Sequence, residues 1–389
     1  MNARFVYPGP GERGLKLDGD AGELVLEDGT RFPGVRFGAK REVAGEVVFA
    51  TGMTGYVESL TDPSYRGQIL ALTYPLQGNY GVGRDGESLA FESATIQAQA
   101  LVVASAIQFP SHHSSVRSLG RWLTDHGIPG LRGVDTRELT QRLRERGTQR
   151  GWIVAGGLSD VALAQAQKSA HCISEKDVAK LVSVGEPRFY QGGPKTVMLV
   201  DSGAKENIVR ELLVRGLSVL RIPLTPDLQE HLRRHPVDGI VLGNGPGNPK
   251  ELPDYISQVR SILDFGRPLL GICLGSQILA LAAGGDTYKL PYGHRSQNQP
   301  VRDLRTGRCY ITSQNHGYAV RTESLLADWV PWFVNLNDGT NEGFYHRNRP
   351  IFGVQFHPEG APGPEDTRWI FDDFKTAIER WSPGALAVA

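Results

Sequence analysis

The stretch Pro268-Leu-Leu-Gly-Ile-Cys-Leu-Gly-Ser-Gln-Ile278 constrains this chain more than any other. An apolar run of buried type, Leu269 to Ile272, leads into Gly271-Ile-Cys-Leu-Gly275. An apolar, alanine-rich helical stretch follows from Ile278 to Ala283. The order is strand, tight turn, helix, with a thiol at the tip. This is the cysteine counterpart of the G-x-S-x-G nucleophile elbow. Glycines two residues either side of the nucleophile remove side chains that would clash in so sharp a turn. The thiol is left at a helix N-terminus, where free N–H groups and the helix dipole favour negative charge. Read alone, the pattern fits a small buried cysteine ending a core strand equally well. The rest of the chain has to decide.

The residues around the elbow alternate in a telling way. Thr196 to Val200, Leu217 to Ile222, Gly239 to Leu242 and Leu269 to Ile272 are short apolar runs that read as strands. Between them, residues 204–215, 227–234 and 255–265 carry helical spacing, with Ile208, Leu212 and Leu213 on one face. Strands alternating with helices specify a parallel, doubly wound sheet, whose reactive crevice lies at the carboxyl ends of the strands. Asp201, Gly243 to Gly247 and Cys273 all fall on that rim. The Pro/Gly-rich segment 185–194 separates this half from one of different pattern. There, Leu24 to Phe32 reads as a hairpin turning at Asp28-Gly29. Glu46 to Ala50, Gln68 to Thr73 and Leu101 to Ala104 read as strands, and Asp135 or Thr136 caps a helix with Leu139 and Leu143 inside. The expected fold is therefore α/β. A mixed β/α domain, strand-rich and then helical, occupies residues 1–190. A doubly wound, mostly parallel sheet carrying the elbow occupies residues 191–389.

Composition excludes several classes. Lys+Arg and Asp+Glu both number 42, so no basic surface calls for nucleic acid or an anionic membrane. No apolar run approaches the length of a bilayer span, and the polar N-terminus lacks an apolar signal core. Three cysteines, Cys172, Cys273 and Cys309, with no C-x-x-C pair, point away from disulfides and zinc and towards a reducing cytoplasm. Cys172 and Cys309 read as structural or incidental, and His112-His113 as a surface loop.

Two further motifs face the elbow. Gly243-Asn-Gly-Pro-Gly-Asn-Pro249 follows a strand and makes a stiff loop whose N–H groups could cradle an anion or an oxyanion. It is not a dinucleotide fingerprint. Gly353-Val-Gln-Phe-His-Pro-Glu359 ends the strand Ile351 to Phe356 and brings His357 and Glu359, at i and i+2, to one face of extended backbone. A carboxylate beside an imidazole fixes its tautomer and stabilises its cation, and the imidazole can then take a proton from a thiol.

Together these motifs resemble class I glutamine amidotransferases. Met53-Thr-Gly-Tyr56, Thr61-Asp-Pro-Ser-Tyr65, Leu72-Thr-Tyr-Pro75, Gly133 to Leu139, Gly293 to Pro300 and Gln314-Asn-His-Gly-Tyr318 extend the likeness from about residue 22 to 380. They resemble the small, glutamine-hydrolysing chain of carbamoyl-phosphate synthetase. The resemblance implies that Cys273 attacks the glutamine amide, forming a γ-glutamyl thioester. His357 would move the protons and Glu359 orient it. The N–H groups of Gly245 and Leu274 would form the oxyanion hole. Ser64, Gly245, Gly247, Leu274, Gln277, Asn315, Gly317 and Tyr318 would hold L-glutamine. The placement of Ser64 implies a close interface between the two halves. His316 is expected as a turn residue beside Asn315 rather than a second base.

The resemblance also implies that the ammonia passes by tunnel to a large synthetase subunit, where ATP and magnesium act, for pyrimidine or arginine synthesis. No Walker loop or metal cluster stands out here, so no cofactor is expected on this chain. Ser276 replaces a common histidine, Tyr318 a common phenylalanine, and the leader 1–21 exceeds what the likeness covers. Two other readings stay open: an amidotransferase subunit serving anthranilate or GMP synthesis, and a catalytically inactive regulatory subunit.

Overall fold

The computed structural model describes residues 20–84, 91–170, 173–174, 176–224 and 227–381. Cys172 and nearly all of the leader lie outside the described residues.

The first half is a closed barrel. Its strands are β1 (Ala21–Leu26), β2 (Arg31–Gly38), β3 (Val43–Ala50), β4 (Gln68–Leu72), β5 (Ala100–Val103), β6 (Pro129–Arg132) and β7 (Gln149–Ala155), in the order β1-β2-β6-β5-β4-β3-β7. β1 and β2 form the expected hairpin, with Gly29 at φ 83° in its turn. Closure leaves no sheet edge to pair with another chain. Leu24, Phe32, Val47, Ile69, Val102, Leu131 and Ile153 fill one cluster of the barrel core. The helix Thr136–Arg146 starts where Asp135 accepts a hydrogen bond from the N–H of Glu138 at 2.9 Å, and Leu139 and Leu143 join the same cluster. Each such leucine contributes about 2 kcal/mol by leaving water.

The second half is a ten-stranded sheet. Its strands are β8 (Arg188–Tyr190), β9 (Lys195–Asp201), β10 (Leu217–Pro223), β11 (Gly239–Leu242), β12 (Leu269–Ile272), β13 (Thr287–Asp303), β14 (Cys309–Val320), β15 (Trp329–Asn335), β16 (Asn341–His346) and β17 (Ile351–Val354). The order is β14-β13-β15-β16-β17-β12-β11-β9-β10-β8. The run β10, β9, β11, β12, β17 is parallel. Its side chains alternate faces as pleated strands must. Met198 and Val200 meet the helices Pro253–Ile262 and Leu274–Ala282 on one side. Val197 and Leu199 meet Glu206–Val214 and Trp369–Arg380 on the other. The strands β13 to β16 continue the sheet antiparallel, an extension absent from the sequence reading. β8, inside the expected connector, caps the other edge by pairing with β10. The long hairpin β13–β14 leans against the barrel, where Lys289 pairs with Glu46 at 3.0 Å.

Candidate active site

Cys273 sits between β12 and the helix Leu274–Ala282, as its N-cap. Its φ is 53°, a left-handed conformation that side chains other than glycine rarely adopt. Such strain persists only where the surroundings over-determine it. Here they do: the N–H of Cys273 bonds the Val354 carbonyl at 2.9 Å, and its carbonyl accepts from Gln277 at 3.1 Å. The flanking glycine is obligatory, because a Cβ on Gly275 would lie 2.1 Å from the Leu242 carbonyl oxygen. Ser276 packs behind the turn against Gly353.

Ser64, Gly245, Gly247, Cys273, Gln277, Asn315, Gly317 and Tyr318 line one cavity of about 650 Å3 between barrel and sheet. Leu274 is buried just beyond Cys273. The sulfur of Cys273 lies 3.7 Å from the Asn315 carbonyl. Gln277 donates to the Tyr318 carbonyl at 2.8 Å and to Oε1 of Gln355 at 3.0 Å. Gly245 is pressed against the backbone, since a Cβ there would lie 2.1 Å from the Ser202 carbonyl oxygen.

His357 and Glu359 lie behind the thiol, both buried. β17 ends at Val354, two residues sooner than expected. His357 instead pairs with Ser313 as an isolated antiparallel bridge, its N–H bonding the Ser313 carbonyl at 2.9 Å, and Glu359 comes from the turn that follows at Pro358 to Gly360 (φ 65°). Nδ1 of His357 meets Oε1 of Glu359 at 2.7 Å. Nε2 of His357 is buried and makes no hydrogen bond of ordinary geometry. Burial would pull the imidazole down, but Glu359 first and the sulfur of Cys273 second raise it to about 10. Burial would likewise raise Glu359. Lys205 foremost, and then His357, hold its carboxyl at about 2.

Lys205 is a residue that motif reading missed. It is 1% exposed, places Nζ 3.2 Å from Oε1 of Glu359, and donates to the Gly360 carbonyl. Its ammonium is pushed up against the pull of burial, by Glu359 first and then by Glu92 and Asp62. Asn207 donates to the Glu359 carbonyl at 2.6 Å. The close seam between the halves expected from Ser64 is present, though Asp62 and Asn244 were not singled out for it. Asp62 caps the turn Pro63–Tyr65 through the N–H of Ser64 and accepts from Asn315 at 2.9 Å. Asn244 donates to the Ser64 hydroxyl at 2.9 Å. Both residues stood inside quoted motifs, so a signal existed. Lys205 had none.

Some expectations change. His316 is a buried residue of β14, not a turn residue, because the Gln314 to Tyr318 segment runs on as a strand paired with β13. Asp201 reaches the rim but turns away, binding Arg221 at 3.0 Å and the N–H groups of Gly203 and Ala204. His112-His113 lies in an exposed loop.

Comparison with known proteins gives the site its family. The model of glutamine amidotransferase class-I matches residues 198–377. That of the carbamoyl-phosphate synthase small chain, CPSase domain, matches residues 24–153. The carbamoyl phosphate synthase small chain of Methanopyrus kandleri is 47% identical over 90% of this chain and 97% of its own length. That of Symbiobacterium thermophilum is 48% identical over 91% of this chain and 98% of its own. The chain belongs to the carbamoyl-phosphate synthase small-chain family. Its second half is a class I glutamine amidotransferase domain. A solved glutamine amidotransferase from Thermotoga maritima also matches, at 22% identity and TM-score 0.35, over 48% of this chain and 84% of that one. Among the described residues, no helix is long and apolar enough to cross a membrane.

Proposed function

We propose that this chain hydrolyses L-glutamine to glutamate and ammonia, and delivers the ammonia to a large, ATP-using synthetase subunit. The observation that carries the reading is Cys273, strained at the tip of the elbow, with the His357–Glu359 pair at 2.7 Å behind it. An amide is a poor electrophile, so its oxygen must be stabilised and its nitrogen protonated. His357 takes the thiol proton as the sulfur attacks the amide carbon, and the oxyanion meets the N–H groups of Gly245 and Leu274, each worth about 3 kcal/mol. His357, whose free nitrogen is Nε2, gives its proton to the departing ammonia. A γ-glutamyl thioester remains. Water then attacks it, His357 takes back a proton, and glutamate leaves with the thiol restored. Glu359 keeps the proton on Nδ1, and Lys205 keeps Glu359 ionised.

The large-subunit partner follows from the relatives, whose names describe a small chain. Exposed Met53, Leu76, Phe109 and Val116, all in the first half, support a partner surface there. His357 also lines a second cavity of about 30 Å3 with Lys205, Gln297 and Pro362, room for one water-sized molecule and so for ammonia. The first-half family match speaks against a subunit serving anthranilate or GMP synthesis.

The test is labelling with a diazo-ketone glutamine analogue, read by mass spectrometry. We expect one adduct on Cys273 and loss of glutaminase activity. No adduct, together with no glutaminase activity when the large subunit is added, would sink the proposal.

A further inference from the structure

A second group of donors lies on the antiparallel half of the sheet, beside the cavity of Cys273, which His316 also lines. His294 on β13, Gln314 and His316 on β14, and Glu342 on β16 converge there. Nδ1 of His294 lies 3.0 Å from Oε1 of Gln314 and 3.4 Å from Oε1 of Glu342. Nε2 of His316 lies 3.1 Å from the same Gln314 oxygen. All four residues are more than nine-tenths buried, Glu342 completely.

One buried carboxylate oxygen of the group has no hydrogen-bond partner, and one ring nitrogen faces an acceptor. Nδ1 of His316 faces the Tyr318 carbonyl at 2.8 Å. A carbonyl cannot donate, so Nδ1 must carry the ring proton. On a neutral ring Nε2 then carries the lone pair, and it points at an amide oxygen, another acceptor. Glu342 adds a buried oxygen, Oε2, that has no partner at all. Glu342 Oε1 accepts from Asn335 at 3.0 Å and faces Nδ1 of His294 at 3.4 Å.

The spacing fits a metal. Four ligands at about 2.1 Å around a tetrahedral ion lie about 3.4 Å from one another. Three of the six separations here are 3.0, 3.1 and 3.4 Å, and the donor atoms of His294, His316 and Glu342 all lie within 4.8 Å of one another. The outward nitrogens are also held as in metal sites, where a ligating histidine gives its other N–H to a carboxylate or a carbonyl. His294 does so to Asp338 at 2.8 Å and His316 to the Tyr318 carbonyl.

We propose that His294, Gln314, His316 and Glu342 form a structural site for a divalent first-row transition ion of the zinc type. Two imidazoles, a carboxylate and an amide oxygen suit such an ion, and four protein ligands leave no open position for catalysis. The ion would clamp β13, β14 and β16 together. β14 is the strand that carries Asn315, Gly317 and Tyr318 into the glutamine cavity, so the clamp would fix their backbone.

The test uses the full chain with Cys273→Ser, so that the active-site thiol cannot compete. The protein is stripped with a chelator and titrated with Zn2+ alone by calorimetry, and with Co2+ followed by visible absorption. We expect one ion per chain and the spectrum of a tetrahedral nitrogen and oxygen site. Asp338→Asn should weaken binding by about 10–100-fold. Glu342→Gln should abolish it, and Gln314→Glu should preserve or tighten it. Absence of saturable one-to-one binding overturns the proposal, as does binding that His294→Ala and Glu342→Gln leave unchanged. Should those variants fail to fold, the Co2+ spectrum of the parent decides, and an octahedral or absent spectrum refutes the site. The cluster is then an ion pair of protonated His294 with Asp338 and Glu342, with the Gln314 oxygen accepting from His294.

Discussion

Lys205→Met is the most revealing single change this structure offers. Lys205 is buried 3.2 Å from Oε1 of Glu359 and is the foremost influence holding that carboxyl at about 2, against an ordinary value of 4.5. A depression of this size corresponds to about 3 kcal/mol of differential interaction. Giving Lys205 half of it leaves about 1.5 kcal/mol, or roughly one pH unit, to be lost. A depressed carboxyl contributes stability that is full above its unfolded value and vanishes as pH falls through its folded value. In the parent that loss runs from about 4.5 down to about 2. In the variant it should begin from the same upper end but finish about one unit higher. Methionine fills the volume yet leaves Glu359 with one charged partner fewer, and breaking a buried pair costs about 3–5 kcal/mol of folding stability. The assays are thermal unfolding between pH 3 and 7, chosen as roughly the window of that titration, and the pH profile of glutaminase kcat/KM. We expect a lower unfolding temperature, an acid limb shifted upward, and glutamine hydrolysis reduced about tenfold. Synthesis from added ammonia in the complex should stay near the parent value. An unchanged acid limb with unchanged stability would refute the claim that Lys205 poises Glu359.

Other outcomes follow from the same geometry. Cys273→Ser should abolish glutamine-dependent synthesis while ammonia-dependent synthesis continues in the complex, measured as carbamoyl phosphate formed. Ser64→Ala removes the acceptor of the 2.9 Å bond from Asn244. It should raise KM for glutamine and lower stability by about 1 kcal/mol, read by steady-state kinetics and urea unfolding. Gly245→Ala pushes a methyl to 2.1 Å from the Ser202 carbonyl. The loop must shift, and kcat should fall by about a hundredfold through loss of one oxyanion donor. His357 is raised to about 10, so its contribution to stability is complete below about 6.5 and lost as pH rises through 10. His357→Asn should remove that alkaline slope in a melting-temperature series.

The elbow, the Gly243 to Pro249 loop and the His357–Glu359 pair were legible because each is a short local pattern whose chemistry depends on adjacent residues. The parallel strands were legible for a similar reason. Val197 to Val200 is buried on both faces, so it reads as an unbroken apolar run. What escaped depends on distance along the chain. β6 has only four residues, and β7 begins Gln-Arg-Gly, a poor strand signature. β13 and β14 carry His294, Arg295, Gln314 and Asn315 inward, so their polar residues masked a strand pattern. Lys205 sits in Ala-Lys-Glu, which looks like an exposed helix start. Only Glu92, Asp62 and Glu359, drawn from three remote segments, make it a buried charge. The position of His316 was misjudged because Asn-His-Gly resembles turn chemistry, whereas pairing across β13 overrode it.

The hydrogen bonds from Asn244 to Ser64 and from Asn315 to Asp62 cross from sheet to barrel. They tie the reactive thiol to the history of the chain. The barrel is made first and can fold while the rest is still being synthesised. The sheet is finished only when β17 and the last helix, Trp369–Arg380, emerge. His357 and Glu359 are therefore among the last groups to arrive, at a cavity whose far wall is already in place. A growing polypeptide thus brings His357 and Glu359 to Cys273 only after every strand of the barrel has been made.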